Sequence, residues 1–303
     1  MPHIRDIQIR DPFILLENDS YYLFGSTDKD IWKSAGVGFD MYISRPHAGY
    51  LQAGLEEFDG PFPCFRPQEN FWSKINFWAP EVYRYNNEYY MFATFKPVQG
   101  RRGTAVLKTQ SLDKYFLPWS DGPVTPPDWE CLDGTLYVDE QQKPWMIFCH
   151  EWQQVTDGEI CIMPLTDDLK KASGSPHLLF KASEAPWASE FKGRVTGFVT
   201  DGPFLYTAKN GNLLMLWSSF GPDGKYRIGL AVSESSRIEG PWKQQNEPLY
   251  SADGGHGMLF HSIEGKLYLA IHSPNNSPNE RPVFIEMIEE NGLIRANNLS
   301  PKT

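Results

Sequence analysis

Five times along this chain a polar residue stands ahead of an apolar strand, a turn rich in Asn, Asp, Gly or Glu, and a second apolar strand. The units are "RDPFILLENDSYYLFGST" from Arg10, "APEVYRYNNEYYMFATF" from Ala79, "LDGTLYVDEQQKPWMIFCH" from Leu132, "DGPFLYTAKNGNLLMLWSS" from Asp201 and "GGHGMLFHSIEGKLYLAIHS" from Gly254. A supersecondary unit repeated at a near-constant period constrains a fold more than any local motif, because each copy needs a neighbour to cover it. The leading polar residues, Asp11, Glu81, Asp133, Asp201 and His256, are 70, 52, 68 and 55 positions apart. Between them lie further strand candidates, "VGFDMYIS", "GTAVLKTQ", "EICIMPL", "RIGLAVSES" and "PVFIEMI". Hairpin, third strand and return strand, five times over, predict an all-β, five-bladed β-propeller occupying residues 1–303 as a single domain. A β-sandwich is the other all-β solution, but it does not need an ionisable residue at the same place in every unit. The N-terminal "IRDIQI" is expected to complete the last blade and close the ring.

Composition agrees with many short strands and tight turns. The 303 residues are 41% hydrophobic and 14% aromatic, with 25 Gly and 24 Pro spread throughout, and long amphipathic helices are hard to find. A net charge of −10 argues against nucleic acid, whose affinity depends on Lys and Arg neutralising phosphates. No apolar run approaches the ~20 residues of a membrane span, so no membrane is expected. The start, "MPHIRDIQIRDPF", lacks the apolar core of a secretory signal, and the expectation is a cytoplasmic location. Cys64, Cys131, Cys149 and Cys161 have no CxxC spacing and are expected to be buried, reduced thiols.

In a propeller the innermost strands start at one end of the central axis, so the five polar residues should converge on one funnel. A single acid before Gly or Pro ordinarily makes a turn. Five in register are different, because clustered carboxylates repel and persist mainly where chemistry or a ligand uses them. Residues just after each second strand should rim the same end: Thr27, Asp28, Lys96, His150, Glu151, Ser219, Phe220, His272 and Ser273. Trp78 and Trp152 add aromatic faces. Convergent acids beside aromatic faces suit a sugar, whose apolar ring face stacks while the acids act on the glycosidic bond.

In this order of motifs the chain resembles glycoside hydrolase family 43, a family of five-bladed propellers that cleave arabinofuranosyl or xylosyl linkages with inversion. "RDPFI" resembles the segment carrying the general base, which implies Asp11. "LDGTLY" resembles the segment whose aspartate, here Asp133, orients the acid and tunes it. "WAPEV" resembles a Trp-Ala-Pro-Asp segment, with Glu81 in the aspartate's place. "GGHGML" resembles the segment whose histidine, here His256, lies on the axis and helps to hold a calcium ion or water. "ERPVFIEM" resembles the segment whose arginine, here Arg281, reaches towards substrate. No cofactor is required by this resemblance, with a structural calcium possible on the axis.

One segment departs from the pattern. The family's Glu-Gly-Pro, which carries the general acid, is here Asp201-Gly202-Pro203, a side chain shorter by roughly 1.5 Å. Asp201 remains the expected acid, with Glu151 and Glu184 as substitutes and a binding-only propeller as the non-enzymatic alternative. An invertase-like retaining propeller fits less well, because "IRDPF" lacks that family's Asn-Asp-Pro start. Trp78, Glu81, His150, Glu151 and Arg281 are the expected sugar contacts. The expected substrate is an arabinan- or arabinoxylan-type chain losing terminal α-L-arabinofuranosyl units, or β-xylosyl units in the alternative.

Overall fold

The computed structural model describes residues 1–32, 35–46, 53–193 and 195–297. Five antiparallel four-stranded sheets follow one another along the chain, each running from its innermost to its outermost strand in sequence order. Blade 1 comprises Arg10–Glu17, Ser20–Ser26, Phe39–Ser44 and Asp59–Phe65. Blade 2 comprises Ile75–Tyr85, Glu88–Lys96, Gly103–Thr109 and Leu117–Pro118. Blade 3 comprises Cys131–Val138, Pro144–His150, Glu159–Pro164 and His177–Lys181. Blade 4 comprises Asp201–Thr207, Leu213–Phe220, Tyr226–Ser233 and Trp242–Gln244. Blade 5 comprises Gly255–His261, Leu267–Ser273, Arg281–Glu290 and Leu293–Ala296. The fold is the propeller that the repeat predicts.

The core lies between blades. Along the second strand of blade 4, Met215 and Trp217 pack with Trp145, Ile147 and Cys149 of blade 3. The alternate residues Leu214 and Leu216 pack with Leu259, Leu269 and Ile271 of blade 5. Period-two alternation therefore sends successive side chains into two different cores. Both faces are apolar, which is why runs such as "PWMIFC" show no polar alternation.

The N-terminal segment does not add a strand. Ile4–Asp6 forms a short 3-10 helix, and blade 5 completes itself with Leu293–Ala296. Ile7 and Ile9 are buried in the core shared by blades 5, 1 and 2, while the Ile4 amide donates to Glu56 O at 2.7 Å and the Phe58 amide to Pro2 O at 3.1 Å. The ring closes by side-chain packing of the first blade on the fifth.

Each innermost strand carries a bulge near its start, at Arg10/Phe13, Trp78/Glu81, Leu132/Thr135, Asp201/Phe204 and Gly255/Met258. The first residue inside each bulge has positive φ: Asp11 52°, Ala79 46°, Asp133 55°, Gly202 51° and His256 49°. These pairings correct the register of the polar residues. Asp11, Asp133 and His256 are equivalent, Asp201 stands one residue earlier, and Glu81 two residues later.

Amides at the bulges are held by the preceding blade. Ala79 N–H donates to Ser26 Oγ at 2.8 Å, Asp133 N–H to Thr94 Oγ1 at 2.8 Å, His256 N–H to Ser218 Oγ at 2.9 Å and Asp11 N–H to His272 Nδ1 at 3.2 Å. All four acceptors occupy one register, opposite the residue that opens their own blade's bulge. Replacing Thr94 by Val keeps the shape and strands a buried N–H, so Thr94→Val is expected to lose about 1–3 kcal/mol of stability, read by urea denaturation.

Candidate active site

The corrected register stacks the axial side chains in layers. Arg10, Trp78, Leu132 and Asp201 share the position that opens each bulge, and all four line one cavity of about 590 Å³. Asp11, Asp133 and His256, one residue deeper, line it as well. Glu81 belongs to the next layer with Phe13, Thr135, Phe204 and Met258, and does not reach the cavity. Its Oε2 accepts from Tyr83 Oη at 2.5 Å, and that hydroxyl also meets Thr135 Oγ1 at 2.6 Å. Burial pushes the Glu81 carboxyl up to about 7.

The carboxyls of the upper layers are in different electrostatic states. Burial acts to raise Asp11, but His256 (Nδ1 3.3 Å from Oδ1), Arg10 (Nε at 3.9 Å) and the Ser26 hydroxyl at 2.6 Å together hold it below the ordinary carboxylate value. Asp133 is pushed up to about 8 by burial and then by the Asp11 charge, despite accepting from Gly202 N–H at 3.0 Å. Asp201 is pushed up to about 7 by burial and the Asp133 carboxyl, opposed by the Tyr226 hydroxyl that donates to its Oδ2 at 2.8 Å. His272, buried, is driven down to about 3 by desolvation and stays neutral. Its Nδ1 accepts the Asp11 amide and its Nε2–H donates to Asn275 Oδ1 at 3.2 Å. Near neutral pH Asp11 is the ionised carboxylate, Asp133 is held mostly protonated, and Asp201 lies close to its midpoint.

Aromatic residues wall the cavity on two sides. On one, Trp78 meets Trp32 edge-on at 5.2 Å, and the Arg102 guanidinium lies 4.5 Å over the Trp78 ring. On the other, Phe191 packs against Trp152 at 5.9 Å and Phe220 at 4.5 Å, and Phe220 against Tyr226 at 5.1 Å. Phe191 comes from a two-stranded ribbon, Phe191–Lys192 with Thr196–Gly197, and Trp152 from the short helix Trp152–Val155. Both are insertions at the cavity end of blades 3 and 4. Trp32 Nε1 donates to Ser277 Oγ at 3.3 Å, joining a blade 1 loop to a blade 5 loop across the rim.

The remaining expected contacts divide. Glu151 lines the cavity, paired with Arg102. His150, adjacent in sequence, turns away: its ring stacks on Trp129 at 4.1 Å between Glu159 at 2.9 Å and Gln154 at 3.1 Å. Arg281 is spent on the carbonyls of Arg5, Pro278 and Glu280 at 2.9, 3.1 and 2.8 Å, outside the cavity. Glu184 is exposed and accepts from the Lys181 amide at 2.8 Å. Lys96 pairs with Glu130 at 3.2 Å. Arg10, Trp32, Arg102 and Tyr226 line the cavity without having been singled out from the sequence. The four cysteines are buried and unpaired in disulfides.

A calcium ion on the axis would have to be held largely through water. His256 Nε2 is buried with no hydrogen-bond partner, which leaves one nitrogen for a ligand. Among the described residues, however, no three His, Cys, Asp or Glu side chains group to hold an ion, and a hard cation needs six or more oxygens.

The raised carboxyls set a pH dependence of stability. A group with a folded pKa of about 8, such as Asp133, against ~3.9 unfolded, stabilises fully below the unfolded value and loses that contribution as pH rises through about 8. Asp133→Asn keeps an acceptor for the Gly202 amide and cannot ionise. Its melting temperature relative to the parent is therefore expected to rise from pH 4 to pH 8, in buffers of matched ionic strength.

Comparison with known proteins follows the same lines as the geometry. The model of the glycosyl hydrolases family 43 matches residues 4–292. An extracellular exo-α-(1→5)-L-arabinofuranosidase of Cellvibrio japonicus (strain Ueda107) is 20% identical over 302 residues, spanning 91% of this chain and 81% of its own length. The solved structure of an endo-arabinase from Bacteroides thetaiotaomicron VPI-5482 superposes with a TM-score of 0.86 at 41% identity, covering 96% of this chain and 98% of that one. An endo-1,4-β-xylanase structure from the same organism shares the fold, with a TM-score of 0.74 at 20% identity over 98% of this chain and 96% of its own. Matched to the family model over nearly its whole length, the chain belongs to the glycosyl hydrolases family 43.

Proposed function

We propose that the cavity hydrolyses α-L-arabinofuranosyl linkages of arabinan-type chains, releasing terminal residues with inversion at the anomeric carbon. The observation that carries this reading is the pairing in one cavity of two carboxyls with opposite surroundings: Asp11 beside Arg10 and His256, which favour its charge, and Asp201, set against Tyr226 and Asp133 and raised to about 7. In the reaction, Asp11 takes a proton from water as the water oxygen bonds to the anomeric carbon. Asp201 gives its proton to the departing glycosidic oxygen as the C–O bond breaks. Tyr226 donates to Asp201 Oδ2, which makes Oδ1 the proton carrier. Asp133 holds the backbone beside the acid through Gly202 N–H. The base and the acid come from blades 1 and 4, which are not neighbours in the ring, and inversion needs such a separation to admit the attacking water.

Arabinosyl specificity rests on the names of the 41%-identical endo-arabinase and the exo-arabinofuranosidase; the xylanase likeness, at 20% identity, concerns the fold. Terminal release draws support from the Trp32–Ser277 hydrogen bond, which joins the blade 1 and blade 5 loops over one side of the cavity rim. Trp78 and Phe220 supply apolar faces for the sugar, and Arg102 with Glu151 supplies donors and acceptors for its hydroxyls.

Leaving-group dependence separates the two roles. Asp201→Asn is expected to lose about 10²–10⁴-fold on natural linkages and far less on a 2,4-dinitrophenyl arabinofuranoside, whose leaving group needs no proton. Asp11→Asn is expected to lose comparably on both. Equal losses for Asp201→Asn on the two substrates would remove it as the proton donor.

Product analysis tests the rest. Linear arabino-oligosaccharides followed by ¹H NMR should yield arabinose alone, first as the inverted anomer, with kcat/KM falling above about pH 7 as Asp201 ionises. Internal fragments as first products would show endo cleavage instead.

A further inference from the structure

One of the five bulges is held differently. The residue that completes the ring of acceptors in blade 3 is Cys149, paired with Leu132 at the register of Ser26, Thr94, Ser218 and His272. The amide it faces by that register is Gly202 N–H, and that amide goes to Asp133 Oδ2 at 3.0 Å. Sulfur is a weak acceptor, so a thiol here does not compete with a carboxyl for the N–H. The thiol is fully buried, and desolvation above all keeps it protonated. A serine would suit its own surroundings better. Thr200 Oγ1, buried, meets the Cys149 sulfur without a well-formed hydrogen bond, and a hydroxyl at 149 could donate to it while accepting from Gly202. Local hydrogen bonding thus favours an alcohol where the chain has a thiol, a conflict of the kind that accumulates at functional sites.

We infer that Cys149 is a positioning residue: by declining the Gly202 amide it leaves that amide to Asp133, coupling the Asp133 carboxyl to the backbone that carries Asp201. The consequence for turnover rests on the hydrolytic reading above; the hydrogen-bond exchange itself does not. With the amide on Asp133, the start of blade 4 is tied to the carboxyl layer of blade 3, as the short reach of Asp201 requires. Given an alcohol at 149, Gly202 would take the ordinary latch of the other blades and Asp133 would lose its tie. A displacement of ~1 Å at a reacting group can cost about a hundredfold, so a partial shift of Asp201 is expected to cost about tenfold.

The test compares Cys149→Ser with Cys149→Ala in the full chain, by ¹⁵N-glycine NMR and by steady-state kinetics. Cys149→Ser should move the Gly202 amide proton upfield, away from a carboxyl-bonded position, and lower kcat about tenfold with KM little changed. Cys149→Ala, which also lacks a strong acceptor, should keep the Gly202 resonance and recover most of kcat. If the serine variant leaves the Gly202 amide where the alanine variant does, the inference is overturned whatever the rates. If the amide moves but kcat does not, the role in positioning Asp201 is overturned. A parent chain with no hydrolytic activity, but with the amide shift present, would count against the proposed reaction while upholding the exchange of partners.

Discussion

Every axial side chain in this propeller takes its place from a backbone bulge at positive φ. For a residue other than glycine that conformation costs roughly 1–2 kcal/mol, and Asp11, Ala79, Asp133 and His256 all adopt it. Such strain persists only where the surroundings over-determine it. Here they do so from the neighbouring blade, through hydrogen bonds from the bulge amides to Ser26, Thr94, Ser218 and His272. Blade packing, bulge geometry and side-chain direction therefore form one constraint. Gly202 obeys it by another route, and there glycine is favoured by φ and demanded by space. Its φ is +51°, and a Cβ would lie 2.8 Å from His256 Cγ.

The constraint brings carboxyls close together, and their charge must be managed. Three ionised acids in a buried ring would be prohibitive, since unpaired buried charge costs several kcal/mol per group. The protein keeps one charge and surrounds it with Arg10, His256 and the Ser26 hydroxyl. Burial raises the other two, helped at Asp133 by that same charge and at Asp201 by the Asp133 carboxyl. A lowered and a raised carboxyl thus arise from one residue type, separated only by the blade on which each sits.

The number of blades and nearly all their strands were legible in the sequence, because a five-fold repeat leaves little choice. Register was not legible from the acids, which occupy three different levels. It was present in the residues after them. Pro12, Pro80, Gly134, Pro203 and Gly257 all fall at the second bulge position, so aligning on Pro and Gly places Ala79, not Glu81, beside Asp11. Proximity in sequence also misled at "CHEW", where strand alternation sends Glu151 to the cavity and His150 to Trp129. Arg102 stands in "QGRRGT", which resembles an ordinary turn, and only the fold lays it on Trp78. Tyr226 opens a third strand with no local signal, and its role comes from facing Asp201 across the blade. Arg281 shows the converse, a motif match whose side chain three carbonyls have already claimed.

A ring closed without a shared strand has one seam that no loop bridges, between the first blade and the fifth. The Asp11 amide reaches His272 across it, Arg10 reaches Glu280 at 2.9 Å, and Trp32 reaches Ser277. The ionised carboxylate is thus encoded near the start of the chain and held by residues near its end. During synthesis, its environment exists only after the last blade has emerged and docked. A chain stopped short of blade 5 would carry all three aspartates yet lack the setting that distinguishes them, so catalytic competence itself reports that the circle has closed.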